Sequence, residues 1–88
     1  MHDWRGVNEL LEVVGRGSFT KAAEHLQLSK SYVSRIVSDL EERLGTQLLI
    51  RNTRRLALTA AGEKFYQRCL QMRSIYADAE RELGELQA

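Results

Sequence analysis

An 88-residue chain makes one small domain, and a core that small is expected to lean on a partner chain for stability. Its hydrophobic content of 43% argues against disorder, while a formal net charge of +1 names no partner by itself. One cysteine, no signal-peptide core in MHDWRGVNELL and no run of transmembrane length exclude an internal disulfide, a cysteine metal cluster and a membrane span; a cytoplasmic protein is expected.

In chain order, Asp3 is a good N-cap for a first helix. Trp4, Val7, Leu10, Leu11 and Val14 follow at helical spacing, and Gly15 and Gly17 are expected to end it. Ser18 can cap a second, short helix carrying Phe19, Ala22, Ala23 and Leu26, which breaks at Gln27-Leu28. Ser29 can cap a third, over about 29–44, whose apolar residues Val33, Ile36, Val37, Leu40 and Leu44 recur every three or four positions before Gly45. Leu48-Leu49-Ile50 and the alternating Leu56-Ala57-Leu58 then predict two short strands around the polar tip Arg-Asn-Thr-Arg-Arg. Thr59 can cap a fourth helix that runs to the end. On it Phe65, Cys69, Met72, Tyr76, Ala79, Leu83 and Leu86 fall at alternating steps of four and three, a heptad seam. Such a helix is roughly 40 Å long at about 1.5 Å per residue. It outruns the domain, so the seam is expected to dimerise the chain. Phe65, Tyr66 and Cys69 are placed partly in the domain's own core, and the helix from Met72 onward beyond its reach.

Three short helices and a hairpin spell a winged helix-turn-helix: a mainly α fold, with residues 1–58 as the winged domain and 59–88 as a linker or dimerisation helix. Ala23 sits where the second and third helices must approach closely. Leu26, Leu28, Val33 and Ile36 are expected to fill the wedge between them, with Gln27 making the turn where glycine is common. Removing the core positions from the third helix leaves Lys30, Ser31, Tyr32, Ser34, Arg35 and Ser38. A recognition helix enters the major groove by its N-terminal part, where Lys30 and Arg35 can reach guanine or phosphate and short hydroxyls let the backbone come close. Residues 29–58 hold six cations against three acids, with no acid between Thr46 and Leu58. That basic edge is the electrostatic footprint of a nucleic-acid binder. Ser29 is expected to cap the helix beside the duplex. Arg51 can contact phosphate or pair with Glu41 or Glu42.

SFTKAAEHLQLSKSYVSRIVSDLEERLGTQLLIRNTRRLALTAAG, residues 18–62, resembles the LysR-type transcriptional regulators. It carries that family's alanine pair, Val-Ser-Arg-x-Ile core, Leu-Glu-x-x-Leu-Gly helix end and Leu-Thr-x-x-Gly lead into the linker helix. The resemblance implies a bacterial regulator that binds double-stranded DNA at an interrupted palindrome as a dimer or tetramer. It also implies a small-molecule effector read by a larger domain absent from this chain. By the same resemblance the base-reading positions are Lys30, Ser31, Ser34 and Arg35. Lys30 and Ser31 stand in place of a frequent Gln-Pro pair, and Tyr32 in place of a small residue. Arg54 matches the wing position expected to enter the minor groove, where narrow A·T tracts attract arginine; Arg55 can serve instead.

A protein-interaction module is the competing class, but it leaves Arg51, Arg54 and Arg55 beside a hydroxyl-rich helix without a purpose. No Ser/His/acid set, paired-carboxylate site or glycine-rich phosphate loop points to an enzyme. His2 and His25 are isolated from any second ligand, so no metal or cofactor is expected.

Overall fold

The computed structural model describes residues 4–52 and 55–87. Three helices, α1 (Val7–Arg16), α2 (Phe19–Leu26) and α3 (Lys30–Leu44), precede a two-stranded antiparallel hairpin of β1 (Leu49–Arg51) and β2 (Leu56–Leu58). The long α4 (Ala60–Gln87) follows. In the hairpin Leu49 faces Leu58 and Arg51 faces Leu56. The architecture is the mainly α winged helix-turn-helix with a long C-terminal helix that the periodicities predict.

The cap signals work as local chemistry requires. Ser18 Oγ accepts the Lys21 amide at 3.0 Å, Ser29 Oγ the Tyr32 amide at 3.1 Å, and Thr59 Oγ1 the Gly62 amide at 2.9 Å. Gly45 ends α3 in the left-handed region, and the Thr46 amide reaches back to Glu41 O. The same doubled closure ends α2, where the Leu28 amide reaches Ala23 O and the Gln27 amide reaches Glu24 O. There the left-handed position is Gln27, at φ 58°, so this turn is indeed made without glycine.

The first helix departs from expectation. It starts at Val7 behind Gly6, which sits at φ 87°, and not behind Asp3, which lies outside the described residues. Gly6 is required because α3 passes directly over it: a Cβ there would lie 3.0 Å from Leu40 Cβ and 3.2 Å from Ile36 O. Trp4 therefore precedes the helix and is exposed. Gly15 continues α1, and Gly17 alone terminates it.

Leu10, Val13, Val33, Val37, Leu40, Leu48 and Leu49 are fully enclosed and form the centre of the core. Ala22 and Ala23 are buried as well, which lets α2 and α3 approach closely. Leu28 does not fill that wedge. It follows the left-handed turn, is 39% exposed and is not among the side chains packed on the core. The start of α4 is clamped to the strand junction: Thr59 Oγ1 donates to Gln47 O at 2.7 Å, and the Thr59 amide donates to Leu48 O at 2.9 Å. Further along, Arg73 reaches Glu12 of α1 at 3.4 Å, and Glu12 also holds Arg16 at 2.8 Å and His25 at 3.6 Å.

Candidate nucleic-acid interface

The N-terminal turns of α3 present a polar surface. Lys30, Ser31, Tyr32 and Arg35 are all exposed, and Ser34 is half-buried. The helix turns these side chains outward because Val33, Val37 and Leu40 are held in the core on its other side. The Arg35 guanidinium lies over the Tyr32 ring, 5.5 Å from its centroid, an i, i+3 cation–π contact that steadies a long side chain on the helix surface. Ser29 occupies its Oγ as the helix cap and remains exposed at the edge of this face.

The wing joins this surface through Arg51. Its Nη1 donates to Ser34 Oγ at 3.0 Å and its Nη2 to Glu41 Oε1 at 3.3 Å, while its guanidinium lies 4.7 Å above the centroid of the Phe19 ring. Of the two partners open to Arg51 in the sequence, the fold selects Glu41. The second oxygen of Glu41 accepts the amides of Leu48 and Leu49 at 2.7 and 3.0 Å. One carboxylate thus ties the end of α3, the start of β1 and the wing arginine together. Neither this role nor the Phe19 stack is legible in the sequence, because their partners lie 7 to 32 positions apart.

The tip is closed by Asn52, whose Oδ1 accepts the Arg55 amide at 2.7 Å, a side-chain turn of the kind asparagine favours. Arg55 is exposed beside it, and Arg54 lies outside the described residues. Among the described residues, Lys30, Arg35 and Arg55 have no carboxylate partner, whereas the charge of Arg51 is matched within the protein. The interface therefore carries uncompensated positive charge at the front of α3 and at the wing tip, with a compensated pair between them.

The seam of α4 divides. Phe65, Cys69 and Met72 pack against the domain's own core, Cys69 being only 4% exposed. Met72 therefore lies within reach of the core, contrary to expectation, because α1 runs alongside α4 this far. Tyr76, Leu83 and Leu86 are 58%, 61% and 84% exposed, and Ala79 is also open to solvent. Ile75, off the heptad count, is 70% exposed, and together with Trp4, Met72, Tyr76 and Ala79 it borders one apolar groove. None of the described helices is long and apolar enough to cross a membrane, and no group of three or more His, Cys, Asp or Glu among the described residues is placed to hold a metal ion.

Residues 4–63 match the family model described as a bacterial regulatory helix-turn-helix protein of the lysR family. The chain belongs to the LysR family. An HTH-type transcriptional regulator of Xanthomonas campestris pv. campestris is 42% identical over 87 residues, which is 99% of this chain and 25% of that protein. The regulator CrgA of Neisseria meningitidis is 47% identical over 73 residues, covering 83% of this chain and 24% of CrgA. The chain thus spans about a quarter of the length of these LysR-type relatives. Among solved structures, the BenM DNA-binding domain in complex with catB site 1 DNA superposes with a TM-score of 0.90 at 32% identity, over 99% of this chain and 98% of that one. The CbnR DNA-binding domain in its DNA complex gives 0.84 at 25% identity, over 99% of this chain and all of that one.

Proposed function

We propose that this chain is the sequence-specific DNA-binding portion of a dimeric transcriptional regulator. The observation that carries the reading is the front of α3, where Lys30 and Arg35 stand exposed and unpaired among the short hydroxyls Ser29, Ser31 and Ser34. A helix with that face enters the major groove by its first turns. Arg35, steadied over Tyr32, is placed to give guanine its two donors, and Lys30 to meet phosphate or a purine edge. The wing follows the backbone, with Arg54 or Arg55 entering the minor groove. Arg51, matched by Glu41, supports the wing from below. The BenM and CbnR domains, solved as DNA complexes, lend this reading their shape.

Residues 1–58 supply the DNA-contacting face, and residues 59–88 pair two protomers on an interrupted palindrome. The distal stripe Tyr76, Ala79, Leu83 and Leu86, widened by Ile75 and Trp4, is the pairing surface. Exposed apolar side chains in such a row are costly in water and are covered when two copies of the helix meet. In the longer protein, a small-molecule effector acts outside this chain, in the cytoplasm.

Selection of bound duplexes from a random pool, followed by anisotropy titration, tests the reading. A bipartite site bound well above scrambled DNA is expected. Arg35→Ala should cost about 1–3 kcal/mol on that site and relax one base preference. Equal binding to selected and scrambled duplexes, or an Arg35→Ala protein indistinguishable from wild type, refutes it.

A further inference from the structure

We infer that Arg51 is a positioning residue that biases the Ser34 hydroxyl toward donating its proton to an acceptor on the DNA. The inference rests on the DNA-binding reading above and adds a division of labour within it. A guanidinium can only donate. Arg51 Nη1 lies 3.0 Å from Ser34 Oγ, so the hydroxyl oxygen receives that bond and its own proton is directed elsewhere. No acceptor within the described residues takes this proton. The half-buried Ser34 sits between the exposed Ser31 and Arg35 on the face assigned to the groove. A free hydroxyl rotates to suit either a donor or an acceptor. One whose oxygen already accepts from a cation keeps a second lone pair but is the poorer acceptor for it, while its proton is free and the neighbouring positive charge strengthens the bond it gives. Ser34 therefore selects a phosphate oxygen, a purine N7, guanine O6 or thymine O4, and disfavours the amino groups of adenine and cytosine.

The geometry of Arg51 suits this task better than a direct phosphate contact. The guanidinium is held on three sides: by Glu41 at 3.3 Å, by the face of Phe19 and by Ser34 itself. Glu41 is in turn fixed by two backbone amides of the strand junction. A planar fork with two separate donors is needed to bridge Glu41 and Ser34 while stacking on a ring, and lysine cannot reproduce it. The wing and the recognition helix are thereby linked at one atom, Ser34 Oγ.

Affinities of wild type, Arg51→Lys, Ser34→Ala and the double variant test this on the selected duplex and on single-base-pair variants of it, with Ser34→Thr as the hydroxyl-retaining control. Ser34→Ala should weaken binding about ten- to hundredfold, the size of one bond to a charged or strongly polarised partner. Arg51→Lys, which keeps the positive charge, should weaken it to a similar extent. The double variant should be no weaker than either single one, and Ser34→Thr should retain most of the affinity. A Ser34→Ala loss equal on every duplex assigns the acceptor to phosphate, and one that vanishes at a single base pair assigns it to that base. Arg51→Lys binding as wild type, losses that multiply in the double variant, or Ser34→Ala without effect would each overturn the inference. Should Arg51→Lys unfold, as thermal melting would reveal, Arg51→Met, which removes the donors at similar side-chain length, takes its place in the cycle with the same expected outcomes. A wild-type chain that fails to distinguish selected from scrambled DNA overturns the proposed function itself, and this role with it.

Discussion

Gly62 is the position where a single methyl group should do most damage. It is buried in the first turn of α4, and a Cβ built there would lie 2.0 Å from Leu48 O, 2.8 Å from Leu48 C and 3.0 Å from Leu48 Cα. All three atoms are backbone, so no side-chain rotation can relieve the contact. Either α4 or the strand junction must move by about 1 Å to restore an ordinary separation. The same carbonyl accepts the Thr59 amide at 2.9 Å, and Thr59 Oγ1 holds Gln47 O at 2.7 Å, so the shift strains both bonds. It also disturbs Leu48 and Leu49, which are 2% and 1% exposed. Overpacking costs about 1–3 kcal/mol, and each weakened hydrogen bond adds about 1 kcal/mol. The helix-propensity gain from glycine to alanine returns at most about 1 kcal/mol. Gly62→Ala should therefore destabilise by about 2–4 kcal/mol, lowering Tm by roughly 10–25 °C for a domain of this size. Urea and thermal denaturation followed by circular dichroism, at one protomer concentration, measure it. Gly84→Ala in the same helix is the control. Nothing lies within 4 Å of its Cβ position, and it should gain a few tenths to about 1 kcal/mol. If Gly62→Ala is as stable as Gly84→Ala, the close approach of α4 to the Leu48 carbonyl is wrong.

Three further outcomes follow from local chemistry. Gln27→Gly should raise stability by about 0.5–1 kcal/mol in the same denaturation assay, since glycine holds the left-handed turn at φ 58° without a Cβ penalty. The hydrogen bond from Arg16, helped by the charges of Arg16, His25 and Arg73 and opposed by burial, holds the Glu12 carboxyl below its ordinary 4.5. Its contribution is thus fully present above pH 4.5 and fades as pH falls through the lowered folded value. Glu12→Gln should be less stable than wild type at neutral pH, with the gap closing in acid; a gap constant with pH would contradict this. Burial pushes the Cys69 thiol above its ordinary 9.0, so a thiol reagent at neutral pH should modify it far more slowly in the folded chain than in denaturant. Equal rates would place Cys69 on the surface.

The sequence by itself determined whatever depends on neighbours along the chain. Ser18, Ser29 and Thr59 cap their helices through bonds three positions away, Gly17 and Gly45 end them, and the apolar periods of α3 and the hairpin choose their buried sides. Most of the candidate interface was legible for the same reason: once Val33, Val37 and Leu40 face inward, Lys30, Ser31, Tyr32 and Arg35 must face outward. Tertiary structure decided the rest. The heptad count could not say that Cys69 and Met72 meet their own core while Tyr76 and Leu83 stay open, because that depends on how far α1 runs beside α4. Leu28 has the hydrophobicity of a core residue, yet it is 39% exposed and does not join the residues packed on the core. Gly6 and Gly62 look like ordinary glycines until α3 and the Leu48 carbonyl are brought against them. Arg51 had two acids within reach in the sequence. Only the fold, by closing the wing onto Glu41, Ser34 and Phe19, made it a brace for the recognition helix. The physical reason is common to all four: a capping bond or a helical period is settled within one turn of chain, whereas the covering of an apolar side chain, a steric limit or an ion pair is settled by residues that only folding brings together.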